Sequence, residues 1–98
     1  MRYAFRKDDN ESVIVKALRN AGAYVYQLHV PCDLLVGYTN PKSGNKYSLL
    51  LEVKDGKKPP SDRKLTKAEQ EFFSGWTGGL LAIVESVDDA LAILKKCE

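Results

Sequence analysis

Apolar positions along this chain switch between a helical period and a strand period, and the switches mark its elements. Residues 10–21 place Val13, Ala17, Leu18 and Ala21 at helical spacing, with Asp9 or Asn10 as a cap and Gly22 as a stop. Residues 23–30, rich in aromatic and β-branched side chains, predict a strand that ends or bends at Val30-Pro31. Residues 33–39 predict a second strand, opened by Asp33, and Asn40-Pro-Lys-Ser-Gly-Asn45 predicts a turn. Leu49, Leu50, Leu51 and Val53 carry a third strand over residues 47–54. Gly56, Pro59 and Pro60 then exclude regular structure from residues 55–63. Thr66-Lys-Ala-Glu69 is a capping-box pattern opening a helix that runs through Gln70, Phe72, Phe73 and Trp76 and stops near Gly78-Gly79. Leu80-Leu-Ala-Ile-Val84 reads as a short strand buried on both faces. Ser86-Val-Asp-Asp89 is a second capping box, and Ala90, Leu91, Ile93 and Leu94 line the last helix, which ends in Lys95 and Lys96.

The order α-β-β-β-α-β-α predicts one α/β domain over residues 1–98. Short connections make the first three strands antiparallel neighbours, and a βαβ crossover leads to the fourth. The result is a mixed central sheet flanked by helices, with a further helix at the C-terminal end. A chain of 98 residues supports a single core, and 44% hydrophobic with 29% charged residues is globular rather than disordered. No apolar run approaches the roughly 20 residues that span a bilayer. Met-Arg-Tyr-Ala-Phe-Arg-Lys lacks the apolar core of a signal peptide, so a cytoplasmic location and no membrane partner are expected. Cys32 and Cys97 form no CxxC pair, which indicates neither a disulfide framework nor a zinc site. Cys32 is expected to be a small buried side chain.

Charge adds a location. Between Lys54 and Lys67 the chain carries Lys54, Lys57, Lys58, Arg63, Lys64 and Lys67 against Asp55 and Asp62, a net +4 in a chain whose total is +2. A polyanion would meet the protein there; charge alone fits a solvated loop equally well.

Glu52 and Lys54 fall two apart on one strand, so they share a face. A carboxylate and an ammonium at the end of an apolar strand are costly unless paired or liganded. If the second and third strands are neighbours, Asp33 and Glu52 converge. Two or three such oxygens plus waters suit Mg²⁺ or Mn²⁺, which acidifies a bound water and stabilises charge on a phosphoryl oxygen. Lys54 would orient or deprotonate that water, or neutralise the pentavalent phosphate. Taken singly these residues have plainer roles: Glu-x-Lys as a surface ion pair, Glu11 as a complement to the helix dipole. Gln70 reads alone as a solvated helix residue, His29 as a lone histidine at a strand end, and Tyr24, Tyr26 and Tyr38 as sheet packing rather than base stacking.

Asp33-Leu-Leu-Val-Gly followed by Leu50-Leu-Glu52-Val-Lys54 resembles the PD-(D/E)xK nuclease superfamily. The details look most like its small VRR-NUC branch, the virus-type replication-repair nucleases. Glu11 matches the acid on the first helix, Asp33 the motif aspartate, and Glu52 and Lys54 the ExK pair. Lys57-Lys-Pro-Pro-Ser-Asp-Arg-Lys-Leu-Thr66 and Gln70 resemble the branch's basic loop and its helix with a glutamine, and residues 84–91 its closing strand and helix. One departure is Cys32 where a proline usually precedes the aspartate, with Pro31 one place earlier.

The resemblance implies a restriction-endonuclease-like αβββαβ core and a Mg²⁺- or Mn²⁺-dependent phosphodiesterase acting on DNA. Glu11, Asp33 and Glu52 would be metal ligands, with the backbone carbonyl of Val53 as a fourth. Lys54 would be catalytic, and Gln70 would position Lys54, water or phosphate. Lys57, Lys58, Arg63, Lys64 and Lys67 would contact DNA. Stand-alone members of the branch resemble Holliday-junction resolvases, which implies a homodimer cleaving branched DNA, of phage or bacterial origin. Phe72, Phe73 and Trp76 are then candidate interface residues, against a plainer role packing one helix face on the sheet. The alternatives are a nuclease of linear duplex DNA, a non-catalytic DNA-binding module with a nuclease fold, and an interaction protein whose basic loop meets an acidic partner.

Overall fold

A computed structural model of the chain describes residues 10–98. The elements are α1 (Glu11–Asn20), β1 (Tyr24–Gln27), β2 (Leu34–Thr39), β3 (Lys46–Val53), α2 (Lys67–Gly75), β4 (Leu81–Val84) and α3 (Val87–Lys95). The sheet order is β1-β2-β3-β4, with the first two pairings antiparallel and β3–β4 parallel. The mixed α/β sheet expected from the sequence is therefore present, with its meander and its β3-α2-β4 crossover. Within the loop after β3, one 3-10 turn forms at Pro60–Asp62. Among the described residues no helix is long and apolar enough to cross a membrane.

Strand alternation divides the sheet into two unlike faces. The inner face carries Val25, Leu34, Val36, Leu49, Leu51, Val53 and Val84, closed by Ile14, Val15 and Leu18 of α1 and Ala90 and Leu94 of α3. Burying each larger aliphatic side chain contributes roughly 1.5–3 kcal/mol. On the outer face, registered pairing lines up Tyr26, Leu35, Leu50 and Leu81, and beside them Glu52 and Ile83. Helix α2 contributes no buried residue to cover this face.

Several expectations change. The buried stripe of α1 is Glu11, Ile14, Val15 and Leu18, not Val13, Ala17, Leu18 and Ala21; Val13 and Ala21 are exposed. Both stripes have helical spacing, and the one with the larger aliphatics faces the sheet. Strand β1 stops at Gln27 rather than 30, because the Leu28 and His29 amides turn to the Asp33 carbonyl, and His29 adopts left-handed backbone. Strand β4 is not buried on both faces: it is an edge strand, and Ile83 is 42% exposed. Tyr38 packs against the core as expected, but Tyr24 and Tyr26 stand exposed on the outer face of the opposite edge. Ser86 accepts the Asp89 amide, while the Asp89 carboxylate turns back to the Glu85 amide at 3.0 Å, so this helix has half of a capping box. Cys32 and Cys97 are buried free thiols.

Asp9 lies outside the described residues, and Asn10 does not cap α1 with its side chain. Instead its Nδ2 donates to the carbonyls of Lys54 and Glu85, each at 3.1 Å, stitching the ends of β3 and β4 to the start of α1. Asn10→Ala should destabilise the fold by about 1–3 kcal/mol. Asn10→Asp should be worse than alanine at neutral pH, since a carboxylate would face two carbonyls. Urea denaturation of the three proteins checks this; an aspartate at least as stable as asparagine would restore the cap.

Candidate active site

The register of β2 on β3 pairs Leu34 with Leu51. One step further along the ladder, Asp33 stands opposite Glu52, and both belong to the outer face. Asp33 Oδ2 accepts the Val53 amide at 2.7 Å, which closes the end of the strand pair. Glu52 and Lys54 are both buried, with Lys54 Nζ 3.5 Å from Glu52 Oε2. The sheet thus brings Asp33, Glu52 and Lys54 to one place. Glu11 sits behind them, 1% exposed, its Oε2 accepting from Gln27 Nε2 at 2.9 Å. It is a buried carboxylate rather than a solvated partner of the helix dipole, and its charge is felt at Asp33.

Helix α2 adds a carboxylate that the sequence assigned to capping alone. Glu69 Oε1 accepts the Thr66 amide at 2.8 Å, and Thr66 Oγ1 accepts the Glu69 amide at 3.2 Å, which is the expected box. The same Oε1 also accepts from Lys54 Nζ at 3.0 Å, closer than Glu52. Gln70, the neighbour expected to do this, is exposed and donates to the Leu65 carbonyl at 3.1 Å. Helical rotation explains the exchange: the residue that reaches back to cap the helix faces the sheet end, and its successor faces away.

The charges are arranged unevenly. Burial first, then a hydrogen bond with Glu69 and the charges of Asp33 and Glu69, push the Glu52 carboxyl up to about 9 despite Lys54. Burial likewise raises Asp33 against the stabilising Val53 amide, with Glu11 adding repulsion. Burial also acts upward on Glu69, but hydrogen bonds from Glu52, Thr66 and Lys54 outweigh it and hold that carboxyl below its ordinary range. For Lys54, burial acts downward and is outweighed by Glu69 and Glu52, so the group stays an ammonium. Cys32, at the mouth of β2, is pushed up to about 11 by burial and by Glu52 and Asp33, and its thiol stays protonated.

Among the described residues no three His, Cys, Asp or Glu side chains are grouped so as to hold an ion. Asp33 is turned to the Val53 amide, Glu11 to Gln27, and Glu52 to Lys54. The donor type nevertheless suits a hard divalent cation: among the described residues, carboxyl oxygens outnumber the cationic groups here, and burial raises the proton affinity of Asp33 and Glu52. Val53 offers a backbone carbonyl at the same strand end; its side chain is in the core.

The basic stretch is less uniform than its composition. Lys57, Lys64 and Lys67 are exposed and Lys58 is half-buried. Arg63 is committed elsewhere, with Nη1 3.3 Å from both Glu85 carboxylate oxygens. Asp55 is buried and accepts the Lys57 amide at 2.9 Å, bending the loop away from β3. The Phe72 ring meets Phe73 edge-on and Trp76 at a tilt, with Phe72 and Trp76 centroids 5.4 Å apart.

Compared with known protein families, curated proteins and solved structures, the chain has no significant match.

The raised Glu52 gives a pH dependence of definite sign. Folded, metal-free protein keeps a proton on Glu52 that the unfolded chain releases above its ordinary value of 4.5. Stability contributed by that group is therefore lost as pH rises from about 4.5 to about 9. In EDTA, the melting temperature should fall across this range, and Glu52→Gln should flatten the fall. At the alkaline end Glu52→Gln should melt about 5 °C above the native protein, the shift that roughly 1 kcal/mol produces in a domain of this size. Parallel pH profiles for the two proteins would remove Glu52 from the account.

Proposed function

We propose that this chain is a metal-dependent endodeoxyribonuclease with a restriction-endonuclease-like core, hydrolysing phosphodiester bonds in branched DNA. The observation that carries the reading is the convergence of Asp33, Glu52 and Lys54 on one face at one end of the β2–β3 pair, with Glu11 buried behind them. The order of elements agrees with the αβββαβ arrangement that the sequence resembles.

In this reading Asp33 and Glu52 would hold a Mg²⁺ or Mn²⁺ ion, with Glu11 and the Val53 carbonyl as further ligands. When bound, such an ion supplies an acidified water and neutralises charge on the phosphoryl oxygens. Lys54 enters as a cation. Held as an ammonium chiefly by the Glu69 carboxylate, with the Glu52 carboxyl beside it, it suits stabilising negative charge on the scissile phosphate better than accepting a proton from water. Lys57, Lys64 and Lys67 grip the DNA backbone, which positions the substrate without reading its sequence. Lys58 lies in the same loop, and Arg63 serves it by bracing the loop to Glu85. A four-way junction needs two related cuts, and a twofold homodimer supplies two sites. The half-buried Phe72 and Phe73 and the exposed Trp76 supply apolar surface for that pairing.

An end-labelled four-way junction and its matched linear duplex, each with Mg²⁺, Mn²⁺ or EDTA, test the reading. Paired nicks in the junction should appear with either metal and vanish with EDTA and with Lys54→Ala. Equal cutting of the duplex would keep the site and discard the junction preference. DNA binding without cutting would convert the protein into a non-catalytic module. Alanine at Lys57, Lys64 or Lys67 should weaken binding evenly across sequences and lower the salt slope by about 1 each. Arg63→Ala should alter that slope less and lower thermal stability. Light scattering at micromolar concentration should give a dimer; a monomer would remove the twofold arrangement.

A further inference from the structure

We infer that Glu69 is the positioning residue for Lys54, and that through it the catalytic ammonium is tied to the first turn of α2. This rests on the nuclease reading above for its catalytic consequence, but not for its geometry. Lys54 Nζ has two acidic side chains beside it, Glu69 Oε1 at 3.0 Å and Glu52 Oε2 at 3.5 Å. Only the first lies within ordinary hydrogen-bond distance. Glu69 lies on α2 rather than across the strand pair from Asp33, so it would remain with Lys54 if Glu52 were engaged by a cation. A lysine with four rotatable bonds left with solvent as its only partner would not hold one position over a phosphate.

Glu69 is itself preorganised. Its Oε1 accepts the Thr66 amide at 2.8 Å, and its own amide donates to Thr66 Oγ1 at 3.2 Å. The first bond anchors the oxygen on which Lys54 ends to the backbone, and the second fixes the helical turn that carries Glu69. The box terminates the basic loop, since Lys64 and Lys67 flank Leu65 and Thr66. Where DNA grips those lysines, its load falls on the turn that holds the catalytic ammonium.

Glu69 could matter only as a helix cap, so the test separates cap from position. Thr66→Ala removes the hydroxyl half of the box and leaves Oε1 for Lys54. Glu69→Gln keeps an acceptor oxygen, and Glu69→Ala removes it. The first readout needs neither metal nor DNA: the rate at which an amine-acylating reagent modifies Lys54, read by peptide mass spectrometry. Glu69→Ala should speed it about tenfold, the loss expected for a charge-assisted hydrogen bond, while Thr66→Ala and Glu69→Gln stay within about threefold of native. The second readout is junction cleavage. Glu69→Ala should lower turnover by about 10- to 100-fold with half-saturation by DNA unchanged, as displacement of a positioned group does. Glu69→Gln should restore most of it, and adding Glu69→Ala to Lys54→Ala should cost nothing further.

Lys54 labelling that is equal in Glu69→Ala and Thr66→Ala would overturn the inference. So would equal turnover in those two variants, and in that case the nuclease reading would stand. If the native protein cleaves no DNA, the nuclease reading fails separately, and Lys54 labelling alone decides whether Glu69 positions it.

Discussion

The register of β2 on β3 is the constraint on which the rest of the molecule depends. Leu34 and Leu51 pair on the inner face, fully buried beneath α1 and α3. Because side chains alternate, that choice sends their neighbours Asp33 and Glu52 to the outer face together. A slip of one residue would exchange the two sets, exposing leucines and driving carboxylates into the core. Apolar packing on one side of the sheet therefore determines where the acidic groups stand on the other. The Val53 amide bond to Asp33, at 2.7 Å, locks the arrangement at the strand ends.

That arrangement creates an electrostatic debt. Asp33, Glu52 and Glu69 act on one another, Lys54 is the ammonium beside Glu52 and Glu69 among the described residues, and Glu11 acts on Asp33. Confinement keeps a proton on Glu52 while Glu69 carries the charge that holds Lys54. Structural ion pairs of this size are ordinarily satisfied one to one. Among the described residues the acidic groups here outnumber the lysine they surround, and burying unpaired charge weakens a fold, so keeping the proton on Glu52 limits the cost of this grouping.

Much of this was legible before any coordinates. Alternation and turn residues placed β2 and β3, and Glu-x-Lys on a strand meant two charges on one face. The Thr66–Glu69 box was readable as a cap because both halves are local in sequence. Its second duty was not, since Lys54 lies fifteen positions away and only the tertiary fold brings it within 3.0 Å. Asn10 misled for the opposite reason: a residue type typical of caps was recruited by carbonyls at residues 54 and 85. The face of α1 was ambiguous because two stripes had helical spacing, and the position of Glu11 turned on which one won. Local patterns specify local hydrogen bonds; competition from distant donors and acceptors becomes visible only when the chain is folded.

Helix α2 shows how the site and the fold are joined. None of its residues is fully buried, and of its apolar side chains only Phe72 and Phe73 are half-buried, so among the described residues apolar burial seats α2 less than it seats α1 and α3. Local bonds close both of its ends, and one bond at its N-terminal end reaches the sheet. At the C-terminal end Trp76 Nε1 donates to the Gly79 carbonyl at 2.7 Å, and the chain passes so close over the indole that any side chain on Gly78 would run into the ring. At the N-terminal end the fastening is the capping box and its bond to Lys54. A helix seated by its face would hold its position whatever the charges did. One seated by its ends depends on them, and at this end the charges are those of the candidate site. The first turn of α2 and the Lys54 ammonium thus meet on the same carboxylate oxygen, which couples the helix end to the candidate site.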